Sequence, residues 1–391
     1  ISQSLDRADA DKNFIGIIPI KMNISRRHFL KALGLASAML LVDGKSAVSQ
    51  ALAEAGDLNM LVIGDSFIWG QGLEEKDKIY TLTANWLASE AFQNKRKVDV
   101  KVKAHSGATI KFRKEESLAY QRAERQETFY YDPEINVGFP SMWKQIEVAA
   151  DEYRAVGKPK GADLILISGG ITDIAVEKLL NPFSDQKKLP GLIEKFCRDD
   201  MFELMEHAAL NNPNAIIAIV GYFPIISNVS VGSRVFNGWL ESMAFPRPLK
   251  PVANNVMTRT LIFNKIKRKV IRLSNIWVRE SDRNLRLAIE KFNLRSTNSR
   301  AVFIPTPITT DTCFETPNTL LFRLGRKGRS EDSLYESRRD DCRRELSELK
   351  RSTGLKYPVR YCEIASVGHP NQAGARAYAD ATRKVLTPFF P

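Results

Sequence analysis

Downstream of residue 57 the chain alternates short apolar runs with stretches whose apolar residues recur every three or four positions. Leu58–Ile63 is one such run, closed by Gly64-Asp65-Ser66. Asp163–Ser168 (DLILIS) and Ala215–Tyr222 (AIIAIVGY) are continuous enough to be strands buried on both faces, and Ala301–Ile304 is a shorter fifth run. Val98–Ala104 instead alternates valine with charge, the period-two pattern of a strand with one wet side. Between these lie Lys78–Phe92, Met142–Ala155, Asp199–Leu210, Ser281–Phe292 and Asn371–Leu386, all with helical spacing. Strands alternating with helices imply parallel pairing, so the pattern predicts an α/β fold, a three-layer α/β/α sandwich around a five-stranded parallel sheet. In such sheets ligands bind beyond the carboxyl ends of the strands.

Two stretches break the alternation. Residues 226–280 are basic, with Lys265, Lys267, Arg268 and Lys269 at their centre, and residues 314–361 are polar and charge-rich. Long insertions in α/β folds tend to sit above the active-site edge, so both are expected to form a cap on a single domain spanning 54–391. No Pro/Gly/Ser-rich linker and no internal repeat divides that region.

The N-terminal part reads as a targeting segment. Ser25-Arg26-Arg27-His28-Phe29-Leu30-Lys31 precedes an apolar stretch from Ala32 to Val42, then Lys45 and an Ala51-Leu52-Ala53 cleavage site. This layout is that of a signal peptide and resembles the bacterial twin-arginine export signal. The apolar run is well short of the ~20 residues that span a bilayer. Residues 1–53 are therefore expected to be an upstream segment plus signal, with Met22 as the start, the twin-arginine translocase as export partner, and the periplasm or the exterior as destination. Export permits disulfides. Of Cys197, Cys313, Cys342 and Cys362, none has C-x-x-C spacing. Cys342 and Cys362 flank a short polar stretch, and a bridge there would clamp the chain ahead of His369; spacing alone leaves the pairing open.

Charge changes the picture in one respect. The 391 residues carry 58 Lys/Arg against 45 Asp/Glu, a formal charge of +13. Residues 1–53 hold only seven of the cations against four of the anions, so most of the excess belongs to the folded part. A basic surface favours anionic partners such as phospholipid headgroups or acidic polysaccharide. No RNA- or DNA-binding motif accompanies the charge, and no nucleic-acid partner is expected.

The candidate chemistry begins at Ser66, which follows a strand and precedes the glycine-containing turn Phe67–Gly72. A serine hydroxyl is a poor nucleophile until a base takes its proton. Beyond the signal the chain has only three histidines, His105, His207 and His369. His207 sits mid-helix among Glu206, Ala208 and Ala209, which suggests a structural role. His369, in Gly-His-Pro-Asn before the last helix, is the candidate base.

Four segments together resemble the SGNH branch of the GDSL hydrolase family. They are residues 61–72 (LVIGDSFIWGQG), Ala104-His105-Ser106-Gly107-Ala108-Thr109, Gly169-Gly170-Ile171-Thr172-Asp173, and Ser366-Val367-Gly368-His369-Pro370-Asn371. The resemblance implies the flavodoxin-like SGNH fold and a serine esterase or lipase that hydrolyses carboxylic esters through an acyl-enzyme, with no metal or organic cofactor. It assigns Ser66 as nucleophile and His369 as general base. The oxyanion donors would be Ser66 N–H, Gly107 N–H and the side chain at 172. Two positions depart from the family pattern: Thr172 stands where the family has asparagine, and Ser366 where it has aspartate. Ser366, Glu363 or a backbone carbonyl is then left to orient His369. Trp69, His105, Tyr222 and Phe223 are expected to shape the substrate pocket. The ester substrate could be a lipid, a small ester or an O-acetylated glycan. An O-acyltransferase of the same fold, or a catalytically degenerate acyl- or glycan-binding protein, are the alternatives.

Overall fold

The computed structural model of the protein describes residues 56–122, 131–231, 256–325 and 328–390. Residues 1–53, read from the sequence as an upstream segment and export signal, lie outside them. The described elements are, in order, β1 (Leu58–Gly64), α1 (Ser66–Trp69), α2 (Ile79–Trp86), β2 (Val98–Val102), α3 (Lys114–Arg122), α4 (Met142–Ala155), β3 (Leu164–Ser168), α5 (Ile171–Ile174), α6 (Val176–Leu180), α7 (Leu189–Glu194) and α8 (Met201–Asn211). There follow β4 (Ile216–Val220), α9 (Val256–Arg295), β5 (Arg300–Ile304), α10 (Tyr335–Thr353), α11 (Val359–Glu363) and α12 (Gln372–Leu386).

The five strands pair in parallel in the order β2-β1-β3-β4-β5. Helices α4, α8 and α9 pack together on one face of the sheet, and α2 packs with α12 on the other, giving three layers. β3 and β4 are buried along their whole length, the reason their sequences are continuously apolar. β2 is one of the two edge strands, with Asp99 exposed; Lys101, and Lys103 just beyond the strand, both reach Glu152 of α4, at 2.7 and 2.5 Å. The strand order reverses between β1 and β3, and at that switch point crossovers leave for opposite faces of the sheet and open a crevice at the carboxyl ends.

Two helices run longer than their patterns predict. The helix expected over 199–210 begins at Leu189 and passes through a π-helical turn, Lys195–Asp200, into α8. Pro190 looks like a breaker, but it lies in the first turn, where a missing N–H costs nothing. The helix expected over 281–292 is the last third of α9, which has 40 residues and starts inside the basic stretch. Its charge masks the periodicity, yet Ile266, Val270, Leu273 and Trp277 are buried at helical spacing. Among the described residues no helix is long and apolar enough to cross a membrane.

Cys342 and Cys362 form a disulfide joining α10 to α11, while Cys197 and Cys313 are buried free thiols. The bridge sits in an apolar cluster with Ile135, Val137, Phe139, Leu346 and Leu349, so it ties α10 and α11 to the 131–139 loop. It closes a loop spanning 20 positions. Replacing both cysteines by alanine is expected to cost about 3 kcal/mol, chiefly by freeing the unfolded chain, as read from urea unfolding. A double variant as stable as the parent would refute that contribution.

Candidate active site

Ser66 opens α1 directly after β1. The four-residue helix is held at both ends: Asp65 accepts Phe67 N–H at 3.1 Å, and Gly70 closes it in the left-handed region. A Cβ at Gly64 would lie 2.4 Å from the Ser168 carbonyl oxygen, so β1 and β3 meet here only because this residue is glycine. The Gln145 side chain holds Gly64 on both sides, accepting its N–H at 2.8 Å and donating to its carbonyl at 3.1 Å. Asp65 is fully buried and also accepts the Ser168 and Tyr222 hydroxyls, at 2.7 and 2.6 Å. Burial lifts its carboxyl above the ordinary range. It braces the turn that presents Ser66.

His369 comes from the far end of the chain, in the loop between α11 and α12. That loop is pinned to Phe322, whose N–H donates to the His369 carbonyl at 2.8 Å and whose carbonyl accepts Gly368 N–H at 3.0 Å. Asn371 caps α12 by accepting Gly374 N–H at 3.0 Å. His369 Nε2 lies 2.8 Å from Ser66 Oγ, across 303 positions of sequence. For Ser66 to donate, Nε2 must be the bare nitrogen, which puts the proton on Nδ1. Nδ1 is buried without an aligned hydrogen bond, the carbonyls of Ser366 and Ala365 beside it.

Burial, then the nearby Arg338 cation, lowers the His369 imidazole to about 4; the two carbonyls and Asp332 pull the other way. A base of this kind is neutral, and able to take a proton, at every pH above that value. For an ester hydrolase working through it, kcat/KM is expected to be level from about pH 8 to 5 and to fall about tenfold per pH unit below about 4. A pH–rate series with its acid limb at the ordinary histidine value, ~6.5, would contradict this.

Ser366, expected to orient the histidine, turns its hydroxyl elsewhere: it donates to Asp332 at 2.5 Å and accepts from Arg338 at 3.1 Å. The cause is Arg338, a fully buried guanidinium that gathers polar groups around it. It reaches Asp332 through both terminal nitrogens, at 2.9 and 2.7 Å, and Glu134 at 3.0 Å. It also donates to Ser330 Oγ at 2.9 Å and the Glu363 carbonyl at 3.2 Å. Burial pushes the Asp332 carboxyl up, but hydrogen bonds and charge from Arg338 hold it below the ordinary range. Glu363, the second orienting candidate, spends its carboxylate on Arg343 at 2.8 Å and Arg360 at 3.2 Å. Of the three alternatives, the backbone carbonyls are the groups beside Nδ1.

The Gly107 turn follows β2. Its φ is +84°, and a Cβ there would stand 2.3 Å from the Val137 carbonyl oxygen, so only glycine fits. Among the described residues neither Ser66 N–H nor Gly107 N–H has an acceptor. Thr172 lines the same cavity, but its hydroxyl donates to the Ala108 carbonyl at 2.5 Å, which commits the one proton it has. Nor does Thr172 cap a helix: Gly170 is the N-cap of α5. Asp173 ties the two turns together by accepting Ile110 N–H at 3.1 Å and Arg113 at 3.4 Å, and burial pushes its carboxyl up to about 6.

Ser66, Gly107 and His369 line a cavity of about 450 Å³. Its walls are largely apolar, with Phe67, Tyr222, Phe223, Ile226, Ile266 and Val270 among them. Both interrupting stretches contribute, the first through Ile266 and the second through Phe314, Tyr357 and Tyr361. Tyr222 and Phe223 line this cavity; His105 and Trp69 do not. His105 is buried under the Gly107 turn, its ring nitrogens 3.0 and 3.1 Å from the Ser106 and Tyr131 carbonyls. Trp69 donates to Glu134 at 2.9 Å, with the Lys78 ammonium 3.0 Å above its ring. His207 stacks on Trp143. Arg338, Asp332 and Glu134 escaped the sequence reading because nothing local separates one buried arginine from its many charged neighbours.

No known family and no curated protein matches this sequence. Solved structures do resemble it in chain path. A lipase from a goat rumen metagenome is 13% identical, with a TM-score of 0.36 over 84% of this chain and 96% of that one. An extracellular lipase from Streptomyces rimosus is 10% identical, with a TM-score of 0.39 over 84% and 99%. A phospholipase A1 from Streptomyces albidoflavus is 11% identical, with a TM-score of 0.39 over 84% and 100%. Likeness at this level is one of fold alone; chemistry has to come from the side chains.

Proposed function

We propose that this protein is a serine-dependent carboxylic ester hydrolase. More particularly, it is an exported esterase acting on acyl chains long enough to fill an apolar cavity. The observation that carries the reading is the 2.8 Å approach of His369 Nε2 to Ser66 Oγ at the wall of that cavity. In the reaction, Ser66 Oγ bonds to the ester carbonyl carbon while its proton passes to His369 Nε2. Collapse of the tetrahedral intermediate expels the alcohol, which takes that proton. Water, deprotonated by His369, then releases the acid and restores Ser66. Export is supported by the twin-arginine-like segment ahead of residue 54 and by the Cys342–Cys362 disulfide, a bond that persists in oxidising compartments.

Support for a lipid-like acyl group comes from the apolar walls, and support for an anionic substrate or surface from α9. On that helix Lys265, Arg268, Lys269 and Arg272 line one shallow depression and have no carboxylate partner among the described residues. A series of p-nitrophenyl esters from acetate to palmitate, run beside acetylated xylan, tests the reading. Each further buried methylene contributes about 0.8 kcal/mol, so kcat/KM is expected to rise several-fold per added carbon until the cavity is full. A series that peaks at acetate, or hydrolysis of acetylated xylan alone, would overturn the lipid-like assignment.

A further inference from the structure

One of the polar side chains lining the cavity, that of Asn136, has no role in the steps above. Asn136 lies on the loop between α3 and α4, lines the cavity with Ser66, Gly107 and His369, and is half-buried. Among the described residues its amide makes no hydrogen bond, although an amide can donate two and accept two. Its position is fixed relative to the Gly107 turn by the backbone on either side of it. Ser106 N–H donates to the Pro133 carbonyl at 3.0 Å, and Val137 N–H donates to the Ser106 carbonyl at 3.2 Å. The amide rests directly on the glycine: Asn136 Oδ1 is 2.5 Å from where a Cβ on Gly107 would stand. A loop bonded twice to the turn and packed on its α-carbon moves with that turn.

What such an amide can do follows from what the site lacks. When Ser66 Oγ bonds to an ester carbonyl, the carbonyl oxygen becomes an oxyanion that needs donors already aimed at it. Two are free, the N–H groups of Ser66 and Gly107, whereas the Thr172 proton is committed to the Ala108 carbonyl at 2.5 Å. We propose that Asn136 is a catalytic residue, its side-chain amide giving the third hydrogen bond to the oxyanion beside Gly107 N–H. This rests on the esterase reading above and assigns that site a donor from a part of the chain no motif marks. The step is otherwise unchanged: the Oγ–carbon bond forms, the proton goes to His369, and the carbonyl π pair becomes the lone pair that Asn136 contacts.

The test compares Asn136→Asp, Asn136→Ala and Thr172→Val with the parent on one p-nitrophenyl ester, with the Ki of a trifluoromethyl ketone measured on each. Asn136→Asp keeps the shape and removes the donors; Asn136→Ala introduces no charge should the aspartate variant fail to fold. Both Asn136 variants are expected to lose about 10²–10³ in kcat with KM changed less than about threefold. Their ketone Ki should rise in step with the fall in kcat/KM, because the hemiketal oxyanion meets the same donor. Thr172→Val should lose less than either Asn136 variant, because its hydroxyl braces the Ala108 carbonyl and has no proton left for the oxyanion. The proposal is overturned if both Asn136 variants keep parental kcat and ketone affinity, or if Thr172→Val carries the loss. A parent protein that neither turns over esters nor binds the ketone overturns the esterase reading and this assignment together. An active parent with unaffected Asn136 variants overturns this assignment alone.

Discussion

Ser66→Ala is expected to lower ester turnover by about 10⁴-fold or more, to the residue of catalysis that binding and oxyanion donors sustain without a nucleophile. The same variant should lose the single covalent adduct that a fluorophosphonate leaves on the Ser66 peptide of the parent, as read by mass spectrometry. The fold should be untouched. Within the described residues the Ser66 hydroxyl bonds only to His369, while the turn itself is held by Asp65, Gly64 and the Gln145 amide. Circular dichroism and thermal melting should therefore superimpose on the parent. Retained turnover, or an adduct on some other residue, would remove Ser66 from the mechanism whatever the fold.

Arg338→Met is expected to destabilise the protein by about 3–5 kcal/mol, because it leaves Asp332 and Glu134 buried without their shared cation. The Asp332 and Arg338 side chains are wholly inaccessible and 2.7 Å apart at their closest contact, so water cannot readily take the missing partner's place. Arg344→Met on the same helix is the control: Arg344 is 65% exposed and should leave the melting temperature where it was. Urea unfolding separates the two. If the Arg338 variant folds, the acid limb of its pH–rate profile should move upward, since one of the causes holding the His369 imidazole down has gone. Equal stabilities for the two variants would show that the buried network contributes nothing.

Much of the framework was legible before any coordinates. Strands buried on both faces, such as Leu164–Ser168 and Ile216–Val220, cannot hide their composition, and a strand ending in glycine-aspartate-serine puts a hydroxyl at the sheet edge. The spatial partner of that hydroxyl was also within reach, because the choice lay among three histidines. What was not legible depends on which way a side chain turns. Ser366 occupies the position expected, yet Arg338, 28 positions earlier, draws its hydroxyl away from the imidazole. Thr172 likewise stands where a donor was sought, and a neighbouring carbonyl claims it. His105 and Trp69 belong to the right segments, but His105 is buried beneath the Gly107 turn and Trp69 is taken up by Glu134 and Lys78. The helices expected over 199–210 and 281–292 were read too short for another reason: a proline in a first turn and a charged exposed face both disguise helix.

The direction of Ser366 has a consequence for how such a site can change over generations. Its Cβ sits close above Gly72, and its side chain points to a carboxylate that already has a cation of its own. An aspartate at 366 would confront Asp332 before it ever met the histidine, so the single exchange that would set a carboxylate behind His369 is a disadvantage on its own. It becomes useful only once position 332 has given up its acid and Arg338 has been released to a new partner. Neutral orientation of His369 is therefore a local trap: that carboxylate is one residue away by identity, but two or three coordinated replacements away by geometry.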